Sequence, residues 1–450
     1  MVKKRGSSLR ISRMVLAALF LIVSLSAFLF PAGWNVPVMK FQFSPALLDA
    51  VAHAGVFACG VVLGMVLVTA IFGRVYCACF CPLGILQDAA AFLCRRPGRR
   101  TGNCAAVRYL AAALVYGALA AGSAAGFLLL DPYSISGRAF SGAAAGGLIL
   151  PVLILLAALW RRRLYCTALC PAGTLLGLIS RFAVFRIRID NRCVKCGKCV
   201  KVCASGCIDI ASGTVDNERC VRCMNCLAAC PTGSIGFRRV LPGKGDTAVP
   251  VDLSRRRLLI NFGVIAAGAA VGVGLVRAGA KKISAFAAKF RILPPGAGDA
   301  VRFAARCTSC QLCTVNCPAH IIVAAPGGAG PVSLDLSKGA CRFDCNRCSQ
   351  VCPTGAIMPL ELKRKQRTRI AEAAFDPRKC MVFQEGIPCG QCAGVCPTGA
   401  IVLRRNGTPR PVKTALCIGC GACQAVCPVP EKAMTVHEIP RQTEIEGEES

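Results

Sequence analysis

The 450-residue chain is too apolar for an ordinary soluble protein, because 54% of its residues are hydrophobic and its mean hydropathy is +0.55. Its 33 cysteines do not fit a disulfide scaffold, since such scaffolds are short secreted chains, whereas tight cysteine runs that end in Cys-Pro indicate metal binding. The formal net charge of +32 does not indicate nucleic-acid binding, because the basic residues concentrate beside the apolar stretches, where topology and anionic lipid explain them.

Five uncharged stretches predict membrane-spanning helices. Each is long enough to cross about 30 Å of hydrocarbon, and they cover residues 14–39, 50–73, 109–130, 139–160 and 258–276. Lys and Arg cluster before the first stretch, between the second and third, and after the fourth. The positive-inside rule therefore predicts a cytoplasmic N-terminus and a cytoplasmic segment from residue 161 to residue 257.

The predicted membrane part contains an internal repeat. The sequence "RVYCACFCPLGIL" begins at Arg74 and "RLYCTALCPAGTL" begins at Arg163, and each follows a pair of predicted spans. Each copy places two thiols four residues apart at the cytoplasmic membrane edge, and the proline after the second thiol is expected to start or break a helix. Facing each other, the pairs would form a four-thiolate site for a cluster or another metal; alternatively, they are structural or thiol-redox cysteines. The four residues are Cys77, Cys81, Cys166 and Cys170.

Residues 186–240 predict a cytoplasmic ferredoxin domain with two clusters. The runs "CVKCGKCVKVC" and "CVRCMNCLAACP" fit C-x2-C-x2-C-x3-C, in which the fourth Cys ligates the other cluster. Zinc is not expected, because structural zinc sites use two separated pairs. The first run has Ala204 in place of the usual proline and an additional Cys207, which is interpreted as a small buried residue. The predicted [4Fe–4S] ligands are Cys193, Cys196, Cys199 and Cys230 (tetrad 1), and Cys220, Cys223, Cys226 and Cys203 (tetrad 2).

The sequence "SRRRLLINFGVIAAGAAVGVGL", within residues 250–280, is typical of a twin-arginine export signal. Such signals carry folded domains across a membrane, which suits a domain already loaded with clusters. No cleavage site stands out, so the segment is expected to stay as a fifth span. The alternative is an ordinary span with a basic flank, and both interpretations place the rest of the chain outside.

Residues 300–435 predict a periplasmic ferredoxin domain with four more clusters, followed by a polar tail at residues 436–450. Two of its four runs have a lengthened first gap. The same exchange of the fourth cysteine defines four further sets of ligands. They are Cys307, Cys310, Cys313 and Cys352 (tetrad 3); Cys341, Cys345, Cys348 and Cys317 (tetrad 4); Cys380, Cys389, Cys392 and Cys427 (tetrad 5); and Cys417, Cys420, Cys423 and Cys396 (tetrad 6).

Histidines, a basic run and ionisable residues indicate which cofactors, partners and proton acceptors to expect. Only one of the three histidines lies in a predicted span and C-x-x-C-H is absent, so no haem is expected. The basic run at residues 363–369 is interpreted as a solvated face or a docking patch for an acidic partner. Quinol oxidation would need a proton acceptor in the membrane, and His53, Asp88 and Gln87 are the candidates. The alternatives are a packing role for His53 and a solvated charge at Asp88.

The motifs resemble those of a known family. The region up to about residue 240 resembles NapH-type membrane polyferredoxins, which have four spans, twin Cys-x-x-x-Cys-Pro motifs and a two-cluster ferredoxin. The region from about residue 250 resembles NapG-type and MauM-type ferredoxins, which are exported by a twin-arginine signal and carry four clusters. In that family two proteins form a quinol dehydrogenase that feeds periplasmic reductases, nitrate reductase among them. The resemblance implies a fusion of the two.

We therefore expect an α-helical membrane protein with α+β ferredoxin-like domains, whose four-span unit covers residues 1–185. The expected function is electron transfer from menaquinol or ubiquinol, through six [4Fe–4S] clusters, to a periplasmic reductase or c-type cytochrome. The expected location is the bacterial inner membrane. One alternative is an assembly or metal-reducing factor, which would bind metal and need no quinol. Another is a polyferredoxin whose C-terminal domain faces the cytoplasm.

Overall fold

The computed structural model describes residues 2–30, 36–93, 105–142, 145–240, 263, 265–274, 276, 292–325, 330–404, 409 and 412–445. We distinguish an N-terminal helical unit (residues 2–181), a first ferredoxin unit (residues 185–239) and a second ferredoxin unit (residues 292–445). The arginines of the predicted export signal lie outside the described residues, and the predicted fifth span is described only in part.

The helical unit consists of eleven α-helices, all within the described residues, and a 3₁₀ turn at Val36–Phe41. The helices are Val2–Leu29 (α1), Phe43–His53 (α2), Val56–Phe72 (α3), Val75–Cys79 (α4), Pro82–Leu93 (α5), Ala105–Ala120 (α6), Ala125–Leu130 (α7), Pro132–Phe140 (α8), Ala145–Arg161 (α9), Leu164–Ala168 (α10) and Pro171–Arg181 (α11).

Proline and glycine set several helix ends in this unit. Pro82 and Pro171 are the first residues of α5 and α11, which confirms that the proline of each repeat starts a helix. The predicted second span is divided at Ala54, which has a φ of +49°. The predicted third span is divided near Gly122, whose φ is +83°. A left-handed residue ends a helix, so these stretches form pairs of shorter helices.

Among the described residues, one helix is long and apolar enough to cross a membrane by length and composition, namely Gly6–Leu29 within α1. Such a helix near an N-terminus is weak evidence by itself, because signal sequences and buried core helices have the same character. The other apolar helices have 10–17 residues, fewer than the roughly 20 that span hydrocarbon without help from neighbouring segments. The four-span unit and the fifth span therefore remain predictions.

The first ferredoxin unit is built on two antiparallel strand pairs. Its elements are Phe185–Ile189 (β1), Lys198–Val202 (α12), Ile208–Asp209 (β2), Thr214–Val215 (β3), Asn225–Ala229 (α13) and Ile235–Arg239 (β4). The outer strands β1 and β4 pair along their whole length, with Phe185 opposite Arg239. This pairing closes the unit into a single core that contains six of its cysteines.

The described part of the linker contains one helix, Ile265–Gly274 (α14). The second ferredoxin unit follows. Its elements are Ala300–Arg306 (α15), Leu312–Val315 (α16), Ile322–Val323 (β5), Ser333–Leu334 (β6), Arg347–Val351 (α17), Leu362–Gln366 (α18), Thr368–Phe375 (β7), Met381–Gln384 (α19), Gln391–Gly394 (α20), Ala422–Val426 (α21) and Met434–Glu444 (β8). Short 3₁₀ turns lie at Pro377–Lys379 and Thr414–Leu416.

The predicted polar tail is wrong as far as residue 444. Residues 434–444 form β8, which pairs antiparallel with β7 from Phe375 opposite Met434 to Thr368 opposite Glu444. Polar residues dominate the strand because much of it is exposed, while Met434 at its start is buried. The strand is held by backbone hydrogen bonds to β7, so it does not need an apolar face. The second ferredoxin unit therefore extends to Ile445, which bonds back to Arg367.

The two ferredoxin units contact opposite ends of α1. Near its start, a side chain at Gly6 would lie 3.1 Å from the backbone of Leu227 in the first ferredoxin unit. Near its end, Phe28 shares a hydrophobic core with Leu312 and Val351 of the second ferredoxin unit. The 24 residues of the apolar segment rise about 36 Å in an α-helix. The helical unit thus separates the two sets of cysteines.

Candidate functional site

Four of the predicted tetrads each line one cavity. Tetrads 1, 2, 5 and 6 surround spaces of about 330, 300, 370 and 330 Å³ between protein atoms, and the remaining lining is almost entirely apolar or hydroxyl-bearing. These volumes include space that opens to solvent. Four thiols around one mostly apolar space are the donor set that a [4Fe–4S] core requires.

Tetrads 3 and 4 share the core of the second ferredoxin unit. That core contains Cys307, Cys317, Cys341, Cys348 and Cys352. Electrostatic coupling joins Cys307, Cys310 and Cys313 to Cys352, and it joins Cys348 to Cys317 and Cys345. Each of the two runs therefore lies beside the fourth cysteine of the other, as the exchange rule predicts.

In the part of the chain that the structure describes, the tetrads are not arranged as sites for a single metal ion. Within the described part of the chain, no group of three or more His, Cys, Asp or Glu side chains is placed to hold a single metal ion. Four thiolates on one zinc ion would lie only about 3.8 Å apart, given a Zn–S distance of about 2.3 Å. A cubane of four irons keeps its thiolates further apart.

The ligand loops share one backbone conformation that sequence reasoning did not detect. In four runs the residues on both sides of the middle cysteine have φ between +51° and +82°. Such turns point successive N–H groups into one concavity, which favours an anionic group there. Only two of the four runs have glycine at any of these positions. The eight residues are Lys195, Gly197, Arg222, Met224, Ser309, Gln311, Gly419 and Gly421.

Side chains next to the fourth cysteine also contact sulfur. In three Cys-Pro-Thr-Gly turns the threonine hydroxyl lies 3.6–3.7 Å from the Sγ of the preceding cysteine. The first run has no such threonine, and the Sγ of Cys207 instead lies 3.6 Å from that of Cys203. Cys207 is buried, as expected, but it also lines the cavity of tetrad 2. Hydrogen bonds to cluster sulfurs adjust cluster potentials, so these groups are placed to do so.

Burial and Cys207 have opposite effects on the protonation of these thiols. Burial raises the pKa of Cys223 and Cys307 to about 11 and that of Cys310 to about 12, because the thiolate loses its hydration. The hydrogen bond from Cys207 lowers the pKa of Cys203 and of Cys220, against the effect of their burial. Only thiolates ligate iron, so Cys207 favours the ligating form of two tetrad 2 thiols, whereas burial disfavours it at the other two, Cys223 and Cys226.

The repeat thiols Cys77, Cys81, Cys166 and Cys170 form what we call the thiol core. All four are buried and belong to one hydrophobic cluster of the helical unit. The same cluster includes Tyr76 and Tyr165, one from each copy of the repeat. It also includes Val221 and Cys223, so the tetrad 2 loop packs against the thiol core. The structure therefore brings the two halves of the repeat together, as predicted.

The two copies of the repeat are held together by arginine hydrogen bonds, because each copy donates one to a carbonyl group of the other. The guanidinium of Arg74 donates to the carbonyl of Cys166 at 3.1 Å, and that of Arg163 donates to the carbonyl of Cys77 at 2.7 Å. Each arginine is fully buried. A side chain at Gly84 would lie 2.6 Å from the Cys77 carbonyl oxygen, and one at Gly173 would lie 2.5 Å from Arg74. The fixed Arg and Gly of the repeat are therefore required by this contact.

Two candidates for proton transfer at the thiol core already have partners. Asp88 accepts from Arg163 at 2.7 and 2.6 Å and from Arg13 at 2.9 Å, so its partly exposed carboxylate is paired with two arginines. Gln87 donates to the Sγ of Cys166 at 3.3 Å. Asp88 forms an ion pair with Arg163, which in turn binds the carbonyl of Cys77. Gln87 contacts a thiol directly, so both residues help to position the thiol core.

The third candidate, His53, lies at the other end of the helical unit, against the second ferredoxin unit. Its Nδ1 is 3.0 Å from Asp49, and its Nε2 is 2.9 Å from an Nη of Arg306 and 3.5 Å from one of Arg302. A side chain at Gly355 would lie 2.5 Å from the imidazole. Gly355 belongs to the turn after Cys352 of tetrad 3. His53 therefore touches a predicted ligand loop.

Helix α8 makes a second contact with tetrad 3. A side chain at Gly137 would collide with the carbonyl oxygen of Cys310. Tyr133 is buried and shares a hydrophobic core with Leu312, and Cys310 packs against the same core. The N-cap of α8 is Asp131, and the preceding carbonyl of Leu130 accepts from Tyr165 at 2.6 Å. A short path of packed residues thus joins the thiol core to tetrad 3.

Four models of iron–sulfur families match parts of the chain. Models described as a 4Fe-4S dicluster domain match residues 192–234, 340–400 and 386–433. A model described as a 4Fe-4S binding domain matches residues 54–100 and 143–190, which contain the two halves of the thiol core. A further 4Fe-4S binding domain matches residues 304–320, within which tetrad 3 begins.

Curated relatives match the chain over shorter stretches. The methylamine utilization ferredoxin-type protein MauN of Paracoccus denitrificans is 34% identical over 142 residues, which are 29% of this chain and 48% of MauN. The ferredoxin-type protein NapH of Haemophilus influenzae is 35% identical over 148 residues, 31% of this chain and 50% of NapH. The chain is therefore similar to NapH-type polyferredoxins over its N-terminal half.

This polyferredoxin, named for its six cysteine runs, is also similar to a second kind of protein. The ferredoxin-type protein NapG of Escherichia coli is 33% identical over 142 residues, which are 29% of the polyferredoxin and 58% of NapG. The polyferredoxin spans about half the length of the curated relatives that it matches. No solved structure matches it.

Proposed function

We propose that the polyferredoxin is a quinol dehydrogenase of the bacterial inner membrane. It takes electrons from menaquinol or ubiquinol and delivers them to a periplasmic reductase, such as one of nitrate-reductase type, or to a c-type cytochrome. The observation that carries the proposal is α1, an apolar helix with a ferredoxin unit at each end. Its length of about 36 Å exceeds the roughly 30 Å of a bilayer's hydrocarbon core.

The proposal includes a fusion and a topology. A NapH-like part comes first, and similarity to NapG supports a second, NapG-like part. The first ferredoxin unit and the N-terminus are then cytoplasmic, and the second ferredoxin unit is periplasmic.

A reporter protein fused after Ser450 should report the periplasm, and one fused near Leu241 should report the cytoplasm. Replacing Arg255, Arg256 and Arg257 by Lys should stop export if the twin-arginine route is used; continued export would show a plain span.

The cofactors proposed are six [4Fe–4S] clusters on tetrads 1 to 6, with the thiol core as a candidate for a seventh cluster or another metal. Anaerobically purified protein should contain about 24 iron atoms per chain, or near 28 if the thiol core holds a further cluster. Iron and acid-labile sulfide assays measure this directly. A value near eight, or stoichiometric zinc, would contradict the assignment.

We assign the proton-accepting step of quinol oxidation to His53 and Asp49. When bound, clusters carry one electron each, whereas a quinol releases two electrons and two protons. About a third of each side chain is exposed, 32% for His53 and 33% for Asp49, so a quinol can reach the pair although both ring nitrogens of His53 have partners. Apolar side chains of Val51, Val56 and Phe57 are exposed around it, which suits contact with lipid and with a quinol ring. The pair also touches the turn of tetrad 3, so proton and electron acceptors lie together.

Replacing His53 by Gln should slow reduction of the clusters by a quinol analogue about a hundredfold or more, because a positioned proton acceptor contributes 10²–10⁴ to a rate. Rapid-mixing absorbance under anaerobic conditions measures the rate. Reduction by dithionite and the iron content should not change. His437→Gln is the matched control, since that histidine is exposed on β8. An unchanged rate in H53Q would remove His53 from the mechanism.

A metal-handling role is the second candidate function. It is favoured by the burial of five thiols in the helical unit, because Cys79 lies beside the four of the thiol core in sequence and is also buried. A wild-type protein that quinol analogues do not reduce, but that takes up copper or another soft metal stoichiometrically, would move this function ahead. Loss of that uptake in C77A, with the ferredoxin clusters retained, would assign it to the thiol core.

A further inference from the structure

Lys365 is a buried lysine in the second ferredoxin unit. It lies on α18 within the basic run of residues 363–369, yet only 3% of it is exposed. Its neighbours Lys363 and Arg364 are exposed. The interpretation of the whole run as a solvated face is therefore wrong at Lys365. Arg369 also turns inward, since it donates to the carbonyl of Cys417 at 3.0 Å.

The ammonium of Lys365 binds the lengthened gap of tetrad 4. It donates to the carbonyl oxygen of Arg342 and, at 3.3 Å, to that of Phe343. Both residues lie between Cys341 and Cys345, where this run has three residues instead of the usual two. These hydrogen bonds hold the loop between Cys341 and Cys345 in place. Two carbonyl groups do not, however, neutralise the positive charge of the Lys365 ammonium.

No carboxylate among the described residues forms an ion pair with Lys365, in contrast to the exposed Arg364, which pairs with Glu444. A buried ammonium without a compensating negative charge is strongly unfavourable. The anions that would be available here are the cysteine thiolates of bound clusters. Burial raises the pKa of Cys341 to about 11, and Lys365 is the largest opposing influence on that thiol. Lys365 acts in the same direction on Cys348 and on Cys420.

These three thiols belong to two different tetrads, which meet at this point. Cys341 and Cys348 belong to tetrad 4 and Cys420 belongs to tetrad 6. The backbone N–H of Cys341 donates to the carbonyl of Cys420 at 2.8 Å, so the two ligand loops are directly bonded. Lys365 therefore carries one positive charge at the junction of two sites, each of which would hold a cluster with four thiolates and a net charge of roughly −2.

We propose that Lys365 is the shared counter-charge of tetrads 4 and 6 and raises the reduction potential of the clusters they bind. Reduction adds a negative charge to a cluster, and a nearby buried cation stabilises the reduced form more than the oxidised form. Electrons that reach tetrad 3 are then drawn onward to this junction. The inference rests on the cluster assignment of the proposed function, but not on quinol as the donor.

The test is an EPR-monitored redox titration of the full-length protein, purified anaerobically in detergent, with its iron content measured in parallel. In Lys365→Met the ratio of reduced to oxidised cluster, at the wild-type midpoint, should fall at least about tenfold for one or two signals, which is 59 mV for one electron. The other signals should stay in place. Lys365→Arg keeps the charge and should keep the potentials. The matched control, Lys363→Met on the same helix, should change nothing.

Several results would overturn the proposal. One is a K365M protein with full iron and unchanged midpoints. Another is an equal shift in K363M, which would show a general surface-charge effect. If K365M loses iron, K365R decides: retained iron and potentials support the counter-charge, whereas loss of iron in K365R as well shows a purely structural clamp. A wild-type protein without [4Fe–4S] signals would instead refute the proposed function.

Discussion

Replacing Cys166 by Ala is expected to leave the first ferredoxin unit oxidised when a quinol analogue reduces the second. Quinol oxidation at His53 delivers electrons beside tetrad 3, whereas tetrads 1 and 2 lie at the far end of the helical unit. Between them, the described residues include one buried set of redox-capable side chains, the thiol core, which packs against Cys223 of tetrad 2. Removing one of its sulfurs should interrupt transfer across the helical unit.

The measurement is the fraction of dithionite-bleachable absorbance that the quinol analogue bleaches anaerobically. For C166A we expect about two-thirds of the wild-type fraction, because four of the six proposed clusters belong to the second ferredoxin unit. Cys59→Ala is the matched control, since Cys59 is an exposed cysteine of the same helical unit. Equal bleaching at equal rates in C166A and wild type would show that the thiol core carries no electrons.

Cysteine spacing predicted which thiols lie together because an iron–sulfur core dictates local geometry. The exchange of the fourth cysteine brings residues such as Cys193 and Cys230 to one cavity despite 36 intervening residues. The repeat likewise predicted that Cys77 and Cys166 would meet. In these cases a short motif encodes the contact, so the printed sequence is sufficient to find it.

Contacts between units were not predictable in this way. Nothing local to His53 indicates that Arg302 and Arg306, some 250 residues later, would lie against its ring. Nor does the run at residues 363–369 indicate that Lys365, alone among its basic residues, is buried. Its burial depends on the path of β7, which follows α18 and pairs with β8. The repeat's Arg and Gly were visible as fixed positions, but their purpose requires the packing of the two copies against each other.

Replacing Arg163 by Met is expected to destabilise the helical unit more than any other substitution considered for it. Arg163 is fully buried and makes a bidentate ion pair with Asp88 as well as the bond to the carbonyl of Cys77. Met fills a similar volume but leaves the Asp88 carboxylate with Arg13 alone. Removing one partner of a buried pair costs about 3–5 kcal/mol.

A loss of that size should lower the midpoint of thermal unfolding in detergent by an amount on the order of 10 °C. Arg163→Lys should fall between wild type and R163M, because Lys keeps the charge but cannot form the bidentate contact. Arg161→Met is the control, since Arg161 is exposed beside Trp160 and should change the free energy of unfolding by no more than about 0.5 kcal/mol. Combining R163M with Asp88→Asn should recover part of the loss, because the carboxylate that has lost its bidentate partner is then removed. If R163M and R161M unfold at the same temperature, the exchange of arginines does not hold the two copies of the repeat together, and the thiol core must owe its geometry to apolar packing alone.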